Sequence, residues 1–353
     1  MVQRLGRRGR GLLNGAYLLI FLAVAADLLT SSRGTVSPVL ASVPVLAAPG
    51  TRRVVVPLLA GLSALAVAGL LWAANQALPA SVHLAALAAI ASTTLASTAH
   101  VALVTSQEQE LREVRSVAEA AQLALLRPVP PRLGGLRIAV RYLAAAPEAR
   151  IGGDLYEALE TPYGVRVLLG DVEGKGLGAV ETAADVLGAF REAAVAEAEL
   201  GAVAERLDAA VARRAGEERF VTAVLLGVPP AGSTAQLVTC GHPPPLRLRG
   251  VEPPLELSPA SIAPPLGLLG LTGGSFQAEE FELRRGDTLL LYTDGLSEAR
   301  DASGAFYPTA ERLTGLPVPG PEALLDHLLA DVNRYTGGIP TDDSALIAVR
   351  REA

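Results

Sequence analysis

Gly170-Asp171-Val172-Glu173-Gly174-Lys175-Gly176 closes an apolar run, Val165 to Leu169, with an aspartate and then a glycine-rich loop. A strand that ends on a carboxylate aims that acid from a rigid base, and the glycines permit tight backbone approach, so a carbonyl there is a further candidate ligand. Three more stretches share the design: Gly152-Gly153-Asp154-Leu155-Tyr156 upstream, and Tyr292-Thr293-Asp294-Gly295 and Asp342-Asp343-Ser344 downstream. If the fold gathers these acids, their like charges raise each other's pKa and resist burial unless a divalent cation neutralises them. Oxygen-only ligands, with no nearby cluster of cysteine or histidine, suit Mg2+ or Mn2+ rather than zinc. Singly, each acid has a plainer reading. Thr293-Asp294-Gly295 is an ordinary Asp-Gly turn, and Asp342-Asp343-Ser344 can cap one. Only their joint occurrence points to a metal site.

Around these acids, alternating apolar runs predict strands at Ile138 to Tyr142, Leu155 to Leu159, Val165 to Leu169, Val221 to Val228, Gln236 to Thr239, Phe276 to Leu283, Thr288 to Tyr292 and Ala345 to Val349. Two alanine-rich helical stretches lie between Gly176 and Ala215, and another helix runs from Pro321 to Tyr335. Strand clusters separated by paired helices favour a layered α+β domain over a doubly wound sheet.

The first hundred residues read differently. Apolar runs occupy Gly15 to Thr30, Val36 to Pro49, Val54 to Ala74 and Leu78 to Val104, with Asp27 almost the only charge inside them. The last two reach the roughly 20 residues that a bilayer crossing needs; the first is marginal, and the second is short and interrupted by Pro38 and Pro44. Arg4, Arg7, Arg8 and Arg10 precede the first run, and Arg52 and Arg53 follow the second. The positive-inside rule then predicts about four crossings and a cytoplasmic remainder, with a re-entrant second run as the alternative. His83, His100 and Asp27 fall near run ends and read as interfacial residues rather than a ligand site.

Residues 105–131 form a polar connector. Leu111, Val114, Ala118, Ala121 and Leu125 make one helical stripe, and Pro128, Pro130 and Pro131 end it. The stripe either packs on its own domain or pairs two copies of the chain as a homodimer. The sequence is therefore expected to divide into a transmembrane helical region (1–104), a connector helix (105–131) and an α+β domain that carries the acidic motifs (132–353).

Composition excludes some classes. A net charge of -6 without a basic block argues against a nucleic-acid surface. Cys240 is the only cysteine, so no internal disulfide can form. It lacks the loop of a cysteine phosphatase and reads as a buried strand residue. His242 is either a proton donor or a turn-stabilising residue before Pro243-Pro244-Pro245. Lys175 is the only lysine; the other basic residues are arginine. A lysine in this loop either meets a phosphate or is simply solvated.

The acidic motifs, with Phe220-Val221-Thr222-Ala223, Gly241-His242-Pro243-Pro244-Pro245 and Pro264-Pro265-Leu266-Gly267-Leu268 in this order, resemble the SpoIIE-type, PP2C-like bacterial serine/threonine phosphatases of the PPM family, from about Leu136 to Arg350. The resemblance implies an αββα sandwich of two antiparallel sheets flanked by helices, with two Mn2+ or Mg2+ ions at one end. It further implies that Asp154 and Asp171 hold one ion, that Asp171 bridges, and that Asp294 and Asp342 complete the other. By the same resemblance the backbone carbonyl of Val172 would be a ligand, and Asp343 would take a supporting place. A water activated by the ions and positioned by Asp171, Asp154 and Asp294 is then the nucleophile. Glu157, Glu173, Cys240 and Ala345 depart from the family's usual residues without removing a ligand. The implied protein is a multi-pass cell-membrane phosphatase with a cytoplasmic catalyst. Its implied substrate is a phosphoseryl or phosphothreonyl protein such as an anti-sigma-factor antagonist, and the connector takes part in dimerisation. A membrane scaffold that binds partners without turnover is the alternative.

Overall fold

The computed structural model describes residues 7–29, 35–143, 153–213, 219–316, 320–338 and 343–352, with residues 7–10, 12, 13, 28, 112–121 and 123 described by backbone alone. The chain divides into two compact units, Met1–Val114 and Arg115–Ala353.

In the first unit, α1 (Arg7–Leu29) is followed by a 3-10 turn (Ser37–Ala41), α2 (Ser42–Ala47), α3 (Val55–Ala74) and α4 (Ala80–Leu125). The second apolar run therefore folds as a 5-residue turn and a 6-residue helix, too short to cross a bilayer. Pro38 enters at the start of the turn, and neither piece extends. Among the described residues, two helical stretches, Val55–Ala74 and Ala80–Leu111, are long and apolar enough to cross. The fourth run does not stop at Thr105: α4, 46 residues in all, runs on through the polar connector to Leu125. Small residues bring α3 and α4 together, since a Cβ on Gly61 would stand 2.1 Å from Thr94 Oγ1. Buried His83 stacks on Trp72 at 5.4 Å, with Nε2 3.1 Å from the Asn75 carbonyl oxygen. Asp27 accepts hydrogen bonds from Thr35 Oγ1 and Val36 N, both at 2.9 Å. Both residues therefore have structural partners.

The second unit continues with β1 (Arg132–Leu133), β2 (Leu136–Leu143), β3 (Asp154–Thr161), β4 (Gly164–Val172), α5 (Leu177–Ala196), α6 (Leu200–Ala212), β5 (Val221–Val228), β6 (Thr234–Cys240), β7 (Leu246–Leu248), β8 (Leu255–Glu256), α7 (Leu269–Thr272), β9 (Glu279–Glu282), β10 (Thr288–Tyr292), α8 (Asp294–Ser297), α9 (Thr309–Leu313), α10 (Pro321–Tyr335) and β11 (Ser344–Arg351). Among the described residues the strands form a six-stranded sheet, β1-β2-β11-β10-β7-β8, and a five-stranded sheet, β3-β4-β5-β6-β9, and every pairing between them is antiparallel.

Strand periodicity builds the layers. Val165, Val167 and Leu169 of β4 meet Leu289 and Leu291 of β10 and Ile347 and Val349 of β11 in a core between the sheets. The alternate residues face outward. Leu168 and Leu225 pack on Val186, Leu187 and Phe190 of α5, while Leu290, Leu346 and Ala348 pack on Leu324, Leu325 and Leu328 of α10. Each such aliphatic side chain removed from water contributes roughly 1.5–3 kcal/mol. The result is the expected αββα sandwich. Of the expected Phe276 to Leu283 strand, only β9 pairs. Phe276 instead lies against α6, where a Cβ on Gly201 would come 2.3 Å from the Phe276 carbonyl oxygen. The short strands β1, β7 and β8 carry too few residues to show a period.

Candidate metal and phosphate centre

Asp154 is the first residue of β3 and Asp171 the penultimate residue of β4, and the antiparallel register sets their Cα atoms opposite one another. Like charges so placed repel. The chain nevertheless forces them together, because Gly153 has no side chain: a Cβ there would stand 2.5 Å from Asp171 Oδ1 and 2.3 Å from the Val172 carbonyl oxygen. On the other flank of β4, Asp171 faces Thr222 of β5.

The second sheet contributes from β10 and β11. Thr293, fully buried, donates from Oγ1 to Asp154 Oδ2 at 3.2 Å and accepts from Ala345 N at 2.9 Å. Asp294 then opens α8, and Gly295 presses on the chain before β11, where a Cβ would lie 1.9 Å from the Asp343 carbonyl oxygen. Strand ends of both sheets thus converge on one cavity of about 260 Å3, lined by Asp154, Asp171, Val172, Glu173, Lys175, Thr222, Asp294 and Asp343 among others.

The electrostatics follow from this crowding. Burial pushes the Asp154 carboxyl well above its usual range, and Asp171 and Asp343 push it further, against the Thr293 hydrogen bond. Burial also raises the Tyr142 phenol, with Asp343 and Asp154 adding to the effect, so it stays neutral. Among the described residues no three histidine, cysteine, aspartate or glutamate side chains stand together as a ready-made metal site. The acids nevertheless line one cavity, with the Thr293 hydroxyl on Asp154. Their donor set fits a hard divalent ion: all oxygen, with a buried carboxyl whose ionisation a cation would favour.

Of the expected ligands, Asp154, Asp171, Val172 and Asp294 line this cavity. Asp342 lies outside the described residues. Asp343, the weaker candidate, is buried there. His242 does not line the cavity. Its Nδ1 is 3.1 Å from Thr222 Oγ1, and burial lowers its pKa to about 4, with the Tyr292 and Thr222 backbone pulling weakly the other way. Burial thus favours the neutral imidazole beside the Thr222 hydroxyl. Cys240 is buried, and burial raises its thiol pKa beyond the range of a working nucleophile.

Sequence reasoning passed over four residues. Thr222 and Thr293 sit inside quoted motifs, and a hydroxyl beside a buried acid was the available signal. Tyr142 and Gln122 gave none: Gln122, on α4, donates from Nε2 to the Asp154 backbone oxygen at 3.2 Å and to Tyr142 Oη at 3.4 Å.

The layered sheets and the shared acidic end give the second unit a PP2C-like fold. Residues 161–352 match the family model described as Stage II sporulation protein E, and the chain belongs to that family. The fold is similar to the RsbU and RsbW domains of Rv1364c from Mycobacterium tuberculosis, with 28% identity and a TM-score of 0.54 over 63% of this chain and 62% of that one. The SiaA-PP2C domain of Pseudomonas aeruginosa aligns at a TM-score of 0.57 and 18% identity over 70% of this chain and 99% of its own. The PP2C phosphatase domain and regulatory fragment of SpoIIE from Bacillus subtilis aligns at 0.51 and 18% identity, over 62% of this chain and 63% of that one. This chain therefore spans under two thirds of the Rv1364c and SpoIIE chains, and at 18% identity the likeness shows the fold alone.

Proposed function

We propose that the chain is a membrane-anchored, metal-dependent protein serine/threonine phosphatase. The observation that carries this reading is the meeting of Asp154, Asp171, Asp294 and Asp343, from the ends of two sheets, at one cavity where burial already disfavours the ionised Asp154. Asp154, Asp171, Asp294, Asp342 and the Val172 carbonyl would hold two Mn2+ or Mg2+ ions. When bound, such ions supply an activated water near neutral pH and neutralise phosphoryl oxygens for in-line attack. The chain's own residues do the positioning. Asp171 is fixed by the β3–β4 register and by Gly153, and the Thr293 hydroxyl holds Asp154 from the second sheet. Thr222 faces Asp171, with its hydroxyl tied to the neutral His242.

The proposed substrate is a phosphoseryl or phosphothreonyl protein of the anti-sigma-factor antagonist kind. Similarity to a chain that joins RsbU and RsbW domains supports a regulatory partner. Membrane anchoring is supported by Val55–Ala74 and Ala80–Leu111, and by an apolar exterior in which Phe21, Leu70, Leu95 and Leu103 are all exposed. Two crossings by these helices leave Arg52, Arg53 and the catalytic unit on one side, the cytoplasm. The proposed homodimer pairs two connector helices through the stripe of Leu111, Val114, Ala118, Ala121 and Leu125.

Hydrolysis of p-nitrophenyl phosphate by the full-length protein, with and without Mn2+, tests the reading. Wild type should turn over only with the ion, and Asp171→Asn should lose at least a hundredfold in kcat. Equal rates in the two proteins would sink it.

A further inference from the structure

The described residues lining the acidic cavity carry five carboxylates, Asp154, Asp171, Glu173, Asp294 and Asp343, against a single positive side chain, Lys175. Two divalent cations would cancel most of the negative charge and no more. A phosphomonoester dianion then brings in two further negative charges, and a phosphodiester brings one. Among the described lining residues, Lys175 is the one whose side chain can offset that difference.

Its placement is built into the backbone. Lys175 stands between Gly174 at φ 94° and Gly176 at φ 96°, conformations that only glycine adopts without strain, so the loop fixes where the lysine leaves the chain. The side chain is exposed and borders the cavity, and an ammonium on a flexible four-carbon stem meets a phosphoryl oxygen as a point charge.

We infer that Lys175 is the specificity-determining residue of the cavity, binding the phosphoryl group and selecting dianionic phosphomonoesters over monoanionic phosphodiesters. This rests on the phosphatase reading above, and the experiment separates the two.

Full-length wild type, Lys175→Gln and Lys175→Arg are compared with Mn2+ on p-nitrophenyl phosphate and bis(p-nitrophenyl) phosphate, with inorganic phosphate as inhibitor and Mn2+ affinity measured by calorimetry. For Lys175→Gln, KM for the monoester and the inhibition constant of phosphate should each rise about tenfold, the scale of one charge-assisted hydrogen bond. The diester should be affected at least fivefold less, and Mn2+ affinity should not move. Lys175→Arg should recover most of the monoester preference. Equal losses on both esters, an unchanged phosphate constant, or an arginine variant that behaves like glutamine would each overturn the assignment. If wild type hydrolyses neither ester, the phosphatase reading falls, and a binding measurement decides the role of Lys175. Reductive 13C-methylation of the only lysine gives one side-chain NMR signal besides the terminal amine. A shift of that signal on adding inorganic phosphate with Mg2+ supports the inference, and its absence at saturating phosphate overturns it.

Discussion

Single atoms decide whether the acids can meet. Gly295 allows the turn after β10 to lie against the chain before β11, since any side chain there would overlap the Asp343 carbonyl oxygen. Gly295→Ala should therefore separate Asp294 from Asp343, lower stability by about 1–3 kcal/mol and abolish Mn2+-stimulated hydrolysis. Calorimetric melting with and without Mn2+ reads both effects, and a melting point equal to wild type would refute the close-contact argument. His242 gives a pH signature. Its folded pKa, about 4, lies below the usual 6.5, so as pH falls the unfolded chain takes up the proton first. Its contribution to stability is complete above pH 6.5 and is lost between there and pH 4, by about 3 kcal/mol in all. In His242→Asn, which keeps an amide near Thr222, urea unfolding should show a shallower fall over that window. Parallel pH profiles for the two proteins would show that burial does not hold the imidazole neutral. The sequence displayed the four acidic motifs because each couples an acid to glycine or to a second acid within a few residues. It could not display the Thr293 to Asp154 hydrogen bond, which joins positions 139 residues apart.

Elements were legible where their period was long enough to repeat. β5, β10 and α10 fall on their expected bounds, Val221–Val228, Thr288–Tyr292 and Pro321–Tyr335. Their strands alternate between two apolar cores, and the helix begins on a proline at its first turn. The second apolar run of the first unit was harder, because composition alone does not separate a short broken helix from a crossing one. Arg166 shows another limit. It interrupts the apolar β4 run, yet its side chain is buried and donates to the carbonyls of Ala194 at 2.9 Å and Glu197 at 2.6 Å, just where α5 ends. The guanidinium thus satisfies carbonyls that the helix terminus leaves without partners, and it stacks over Tyr163 at 4.8 Å. Replacing it in Arg166→Met keeps the aliphatic stem and strands those carbonyls. The expected loss is about 2–3 kcal/mol, read from the shift in urea midpoint, and a shift under 0.5 kcal/mol would mean that the carbonyls find other donors.

At the scale of the whole molecule, α4 is the one helix that belongs to both units: the division falls inside it, after Val114. The three prolines after Arg127 made residue 132 look like the start of the catalytic domain, because they end a helix visibly in sequence. Packing puts the last turns of α4 within the second unit. Leu126 is buried in the helix-side core, Leu125 packs against that core, and Arg191 donates from Nη2 to the Leu125 carbonyl oxygen at 3.1 Å. Arg191 also pairs with buried Glu157 on β3, and Gln122 reaches the Asp154 backbone. The end of the connector is therefore tied to the strand that carries the first acid. A chain beginning at Arg115 keeps the contacts of Gln122, Leu125 and Leu126, whereas one beginning at Pro128 loses them. The shorter chain should be less stable by on the order of 3 kcal/mol, from two aliphatic side chains and the hydrogen bonds, and should bind Mn2+ more weakly, because the start of β3 loses its support. Urea unfolding and Mn2+ titration of the two chains check this together. Equal midpoints with equal Mn2+ affinity would show that the helix end only rests on the domain, and that the acidic cavity is held by the sandwich alone.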